Sequence, residues 1–436
     1  MKIILTLISF VISFSLAAQN TIGDTIQNYL KQNMEVVSDN EAAEIKMFDA
    51  DFYKNSLFLF GENHGSANPQ LVDIKLFKQL YKNAGVRYYV AEVDDTKAWM
   101  LNNYMKDGNE SWLKKVFSSW ISDTAQWANK SNYAKFQQLQ LFYKSLPKKA
   151  KFTILGIDVV QDYSLLKEHI NYFTANKKEP QVQIYLDSLQ NILDTTTVDN
   201  SKYFIKFTRR LLAQMDKDNS GYKKLFVEKT DAFTHFIKSI AILKSGMNRD
   251  SVMYTNMNNL IKTYNLTNIK MYGFLGFYHC LQTSYENSMP FAALLSKYNS
   301  SFTGKIASIQ MMALNCKTLL PYTAQMKQIM PLEYVNKLRK ENPDFVSSTK
   351  YAPFDLSNDG SIMKIDGIQY LKNITDSSKN YIFKLNSTNT PFASTKKLGE
   401  VTGFQTVKLT SPIANTLQGF QYILFFRNSK AGVPIE

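Results

Sequence analysis

Cysteine and histidine are both scarce in this chain. Two cysteines in 436 residues exclude a disulfide-stapled scaffold and any zinc site built from four thiolates. Four histidines, His64, His169, His235 and His279, leave imidazole chemistry a very short set to draw on. Internal repeats and low-complexity tracts are absent, and 44% hydrophobic with 20% charged residues is the composition of a folded chain. Its formal charge of +14 is scattered in short clusters such as Lys148-Lys149 and Lys177-Lys178. No basic stripe is interleaved with aromatics, so nucleic acid is not an expected partner.

Residues 1–18 read MKIILTLISFVISFSLAA. One lysine, an unbroken apolar stretch and small residues before Gln19 form a secretory signal, with cleavage after Ala17 or Ala18. The stretch is short for a membrane span, and no cysteine at the cleavage site offers a lipid anchor. No later segment has the length of a membrane span. The expectation is an exported protein, periplasmic or extracellular, with no integral membrane anchor and a single domain over residues 19–436.

Four short apolar runs punctuate the first two thirds of the chain: 56–60, 88–91, 152–157 and 269–275. Between the first two, Leu71, Ile74, Leu76, Phe77, Leu80 and Tyr81 recur at helical spacing after Pro69, and Gly85 ends the pattern. Short apolar runs separated by helices predict parallel strands buried on both faces. The fold class expected is therefore α/β, a mainly parallel sheet flanked by helices. About a hundred residues of helical pattern, 165–264, are too long for one crossover and predict a large helical insertion. Strand-like runs at 381–385 and 422–426 read as late strands of the same sheet or, less simply, as a small appended β region.

Each run leads into an acidic residue or a histidine: Glu62 and His64, Glu92, Asp158, His279. Parallel sheets bind ligands outside the carboxyl ends of their strands, so these residues predict a shared cleft. Glu62 and His64 sit two apart in the glycine-bounded turn GENHGS, where extended backbone points both side chains the same way. A histidine beside a carboxylate is a candidate general base. Further on, Arg249 and Asp250 lie four and three residues before Met253, on the inward face of a helix start. A buried arginine needs carboxylates, and Glu62, Glu92 and Asp158 are available. The plainer alternative is a structural ion pair between Arg249 and Asp250 or a neighbour.

GENHGS at 61–66, the run into Glu92, LGID at 155–158, RDxxM at 249–253 and GFLGFYHC at 273–280 resemble, in order and spacing, the motifs of the erythromycin esterase family. That family belongs to a wider set with haem-iron-binding ChaN-like and TraB-like members. The terminal stretch YILFFRNSKAGVPI is similar to the family's C-terminal segment. The resemblance implies an ester- or lactone-cleaving hydrolase with a small-molecule substrate, in which His64 activates water. Glu62 and Glu92 would orient and polarise it. His279 would stabilise the oxyanion or protonate the leaving alcohol, and Arg249 with Asp250 would complete the polar floor. Two positions differ from the esterase pattern. Only Asn63 separates Glu62 from His64 where the esterases have two residues, as in the TraB-like and iron-binding relatives, and Gly276 stands where they carry a second histidine.

Other readings stay open from the residues alone. Ser66 is a rival nucleophile, although no nucleophile-elbow pattern surrounds it. A divalent metal on Glu62, His64, Glu92 and His279 is a second, with no diagnostic spacing. It would fit a metal-dependent peptidase or a metal- or haem-iron-binding protein. Asp158 and the tryptophans Trp99, Trp120 and Trp127 are candidate substrate contacts, the rings as an aromatic wall, with helix packing as the plainer role of Trp99, Trp112, Trp120 and Trp127. His169 and His235 sit on amphipathic helical stretches and read as packing residues. Cys280 and Cys316 would pair only if their strands are neighbours.

Overall fold

The computed structural model describes residues 23–174, 179–243, 246–286, 288–360, 363–403, 406–411 and 414–436. The expected signal segment lies outside them. Among the described residues twelve strands follow one another: β1 (Met34–Val37), β2 (Leu57–Glu62), β3 (Tyr88–Ala91), β4 (Thr153–Gly156), β5 (Met271–Gly276), β6 (Ile306–Leu314), β7 (Cys316–Pro321), β8 (Tyr351–Leu356), β9 (Met363–Ile365), β10 (Asn380–Lys384), β11 (Val401–Gly403) and β12 (Tyr422–Arg427). Eight of them form one sheet in the order β1-β10-β12-β6-β2-β5-β3-β4. From β12 to β4 every neighbouring pair is parallel. Only β10 runs antiparallel, to β1 and β12.

The strand sequences explain the sheet. Every residue of β2, β5, β6 and β12 is buried, which only helices on both faces can achieve. Side chains alternate between those faces. Phe58 and Phe60 pack with Leu76, Phe77 and Phe136 on one side, while Leu57 and Leu59 pack with Met253, Met257 and Leu260 on the other. The helix Asn68–Asn83 begins with Pro69 in its first turn, where a missing N–H breaks no bond. It ends just before Gly85, whose φ of +77° suits glycine.

The helical insertion is present. Its helices Tyr163–Thr174, Pro180–Asp194, Lys202–Lys217, Ser220–Phe226 and Thr230–Ala241 enclose a core of their own, built from Leu166, Leu189, Phe204, Phe226, Phe233 and Phe236 among others. The next helix, Arg249–Thr263, belongs instead to the sheet, through Met253 and Met257. The C-terminal part does two things. It supplies β10 and β12 to the sheet, as the sequence suggests, and it also builds the separate two-stranded pairs β7–β8 and β9–β11. Cys280 and Cys316 are buried and free. Among the described residues no helix is long and apolar enough to cross a membrane.

Candidate active site

Five chain segments meet at the carboxyl end of the sheet. Glu62 closes β2 and His64 follows two residues later. Glu92 comes directly after β3, Asp158 two residues after β4, and Gly276 closes β5. His279 sits in the short 3-10 turn Phe277–Cys280. Arg249 and Asp250 open the helix capped by Asn248, whose side chain accepts from the Asp250 N–H at 2.8 Å. Adjacent parallel strands end in register, so residues just past those ends become neighbours without further help.

Two imidazole–carboxylate pairs result. His64 Nδ1 donates to Glu62 Oε1 at 2.9 Å, and the other Glu62 oxygen accepts from Gln70 Nε2 at 2.9 Å. His279 Nδ1 donates to Asp250 Oδ1 at 2.7 Å, which also accepts from the Phe291 N–H at 2.6 Å. Both rings turn Nε2 toward one atom, Glu92 Oε1, at 3.7 Å from His64 and 3.6 Å from His279. Those separations exceed hydrogen-bond length, so each Nε2 keeps its capacity for a ligand.

Arg249 ties the remaining acids together. Its Nη2 donates to Glu92 Oε1 at 2.7 Å and also to Asp158, while Nε donates to Asp158 Oδ1 at 2.8 Å. Asn256 holds the Asp158 backbone, donating to its carbonyl at 3.2 Å. Glu92 Oε2 accepts from the Gly276 N–H at 2.6 Å. A Cβ on Gly276 would stand 3.0 Å from His64 Nε2 and 3.5 Å from Glu92 Oε2. The position that carries a histidine in the resembling esterases is here kept flat against His64.

Charge is arranged with the same economy. Burial works against a charged His64, yet the carboxylate of Glu92 and the hydrogen bond the ring donates to Glu62 outweigh it and push the ring up to about 10. Burial likewise opposes the Glu92 anion, but His64, His279 and Arg249 hold it far below the usual carboxylate range. His279 is raised as well: burial disfavours its charge, while Asp250 and Glu92 favour it. Arg249 is held still more firmly protonated by Asp158 and Glu92, against its own burial. At neutral pH His64 is therefore an imidazolium set between two carboxylates.

Of the cluster, Glu62, His64, Arg249, Gly276 and His279 line one side of a cleft of about 730 Å³, and Glu92 does not. Leu320, Met326, Met330, Phe354, Leu356 and Met363 make an apolar wall across from these residues, contributed largely by β7, β8 and the segment between them. Thr318 of β7 donates to the His64 carbonyl. Of the tryptophans, Trp127 lies beside His64, ring centroids 4.8 Å apart. Trp120 is buried 6.4 Å beyond it. Trp99 is elsewhere, stacked at 4.4 Å on His169 and in contact with Trp112. His235 and His169 lie in the interface between the insertion and the helix Asp95–Asp107, 3.4 Å from Asp95 and 3.1 Å from Thr96. Ser66 is buried and donates to the Lys317 carbonyl at 3.0 Å, a poor posture for a nucleophile. Among the described residues no group of three or more His, Cys, Asp or Glu is disposed to hold a metal ion.

No protein-family model and no curated protein matches the sequence. Solved structures share its fold. A protein of Bacillus cereus superposes with a TM-score of 0.66 at 13% identity, covering 95% of this chain and 99% of that one. A succinoglycan biosynthesis protein gives 0.65 at 11%, over 95% and 99% of the two chains. A mutant erythromycin esterase in its open conformation gives 0.56 at 11%, over 88% and 92%. At such identities the likeness is one of fold. The chain shares the fold of these three structures over nearly its whole length.

Sequence reasoning missed Gln70, the Phe291 N–H and Asn256, which fix Glu62, Asp250 and Asp158. Nothing in a single sequence marks a glutamine eight residues past a strand as a clamp. Only the rule that a buried carboxylate needs partners could have prompted the search.

Proposed function

We propose that the cleft is the active site of a hydrolase that opens an ester or lactone with water activated at His64. The observation that carries this reading is the pair of imidazoles lining the cleft, each oriented by its own carboxylate, with both Nε2 atoms turned to one Glu92 oxygen. Orientation by a carboxylate at Nδ1 leaves Nε2 as the working atom, the geometry a general base requires. Water beside His64 Nε2 gives up a proton as its oxygen attacks the carbonyl carbon. Protonated His279 and the Arg249 Nη1 group, which the ion pairs leave unused, supply donors for the oxyanion that forms. His279 then protonates the departing alkoxide. Export, read from residues 1–18, would place the enzyme in the periplasm or outside the cell.

The charge on His64 shapes the kinetics. With the ring titrating at about 10, roughly one molecule in a thousand is in the basic form at pH 7, a cost of about 4 kcal/mol. The rate of a His64-catalysed reaction therefore climbs with pH above 7 for as long as His279, whose charge Asp250 and Glu92 favour, keeps its proton. A panel of chromogenic esters and lactones, assayed with wild type, His64→Ala and Glu92→Gln, tests the reading. Turnover by wild type and losses of about a hundredfold or more in both variants are expected. Equal activity in all three would end the proposal. A rate flat below pH 9 and falling above it would make His64 the acid instead.

A further inference from the structure

Behind the site lies a buried polar group with no part in the chemistry above. Asp73 and Lys135 are 0% and 5% exposed. Asp73 accepts from Tyr89 at 2.6 Å and from Tyr272 at 2.8 Å, and Lys135 Nζ stands 3.2 Å from its Oδ2. The carboxylate is well served. The ammonium is not: it has three N–H groups, this one ion-pair partner, and the rings of Phe274 and Phe136 at 4.4 and 5.1 Å. A buried ammonium left with so few acceptors is strongly unfavourable.

Lys135 borders a small chamber of about 30 Å³ that is also lined by Glu62, His64, Glu92, Tyr89 and Asn132. That is room for one or two waters. The polar partners a buried water needs are all there: an ammonium to donate to it, and two carboxylates to accept from it. We propose that Lys135 is a positioning residue that acts on Glu62, Glu92 and His64 through water held in this chamber. The water completes the ammonium's hydrogen bonds and donates to the carboxylates that grip His64, while the charge stays on Lys135. The proposal stands whichever bond the cleft breaks, because it concerns the proton on His64.

The sign of the effect is fixed by position. Around His64 stand Glu62 at Nδ1, Glu92 at Nε2, Trp127 on one side and Gly276 close to Nε2, with Arg249 and His279 acting through Glu92. Lys135 lines the chamber beside those acids, whereas Asp73 does not. Lys135→Met therefore removes the nearer charge. Whether Asp73 then stays ionised or takes up a proton, the site becomes more negative and His64 holds its proton to higher pH.

Titrating His64 by NMR of its ring carbons in wild type and Lys135→Met tests this. The midpoint is expected to move upward by about one pH unit, with the pH–rate profile of any hydrolysis moving alongside it. An unmoved midpoint in a folded variant overturns the proposal and leaves the network a structural support. If the variant does not fold, a high-resolution crystal structure of the wild type decides. Water within hydrogen-bond distance of both Lys135 Nζ and a Glu62 or Glu92 oxygen supports the proposal, and a chamber without such water sinks it. The NMR reading needs no turnover, so it separates failure here from failure of the hydrolase reading.

Discussion

His169 is buried and His64 is 21% exposed at the cleft, and both are packed against a tryptophan and near an acid. They titrate in opposite directions. Burial pushes His169 down to about 4, with His235 adding to the fall and Asp95 only partly opposing it. The same penalty acts on His64, yet that ring ends near 10. The difference lies in what touches the nitrogens. His169 Nδ1 meets a hydroxyl, that of Thr96, at 3.1 Å, and its face is covered by Trp99. His64 has Glu62 on one nitrogen and Glu92 toward the other. Burial by itself makes an imidazole a neutral packing unit, and a pair of carboxylates aimed at its nitrogens makes it a held cation.

The sharpest way to break this contrast is activity. On an ester or lactone substrate, His64→Ala is expected to lose about a thousandfold in kcat/KM, while His169→Phe stays within about twofold. A comparable loss in both would make the difference between the two regions irrelevant to function. Next in size is the pH dependence of stability, measured by denaturant unfolding. His169 titrates lower in the folded chain than the roughly 6.5 of an unfolded one, so the unfolded state takes up the proton first as pH falls. Stability is lost between about 6.5 and 4, by on the order of 3 kcal/mol, and His169→Phe removes that slope. His64 behaves in the reverse sense. Its contribution is complete below about 6.5 and disappears as pH rises toward 10, a slope that His64→Gln abolishes. Parallel pH curves for wild type and either variant would contradict the assignment for that residue. The smallest effect concerns Gly276→Ala. With its Cβ 3.0 Å from His64 Nε2, the ring must give way by a few tenths of an ångström, and a loss of about tenfold in kcat with little change in unfolding midpoint is expected. An unchanged kcat would mean that the position of His64 is not critical.

How much of this could be read from the residues depends on how local the cause was. Parallel strands buried on both faces announce themselves as apolar runs, so β2, β3, β4 and β5 were visible, together with the acids and histidines at their ends. Arg249 was legible because an arginine on an apolar helix face demands acids, and it has Glu92 and Asp158. The apolar wall was not visible. The antiparallel pair β7–β8 lies over the cleft through long-range pairing, and its short apolar runs give no sign of what they face. Lys135 and Asp73 were invisible for a related reason: polar residues on amphipathic helices read as solvent-facing, and only their neighbours from β3 and β5 make them buried. Trp99 shows the limit of proximity in sequence. It follows Glu92 by seven positions, but the helix that carries it turns the ring toward the insertion.

The chain leaves the cleft at Asp158 and comes back at Arg249, and those two side chains are clasped to each other. Most of what lies between them has a private core and is fastened to the site by this latch of charges, as well as to the helix Asp95–Asp107 through His169 and His235. A cassette mounted this way can be lengthened, shortened or exchanged between related proteins as long as the latch still closes. One that returned the guanidinium at a different angle would spoil Glu92 from a distance, without altering a single residue of the cleft wall.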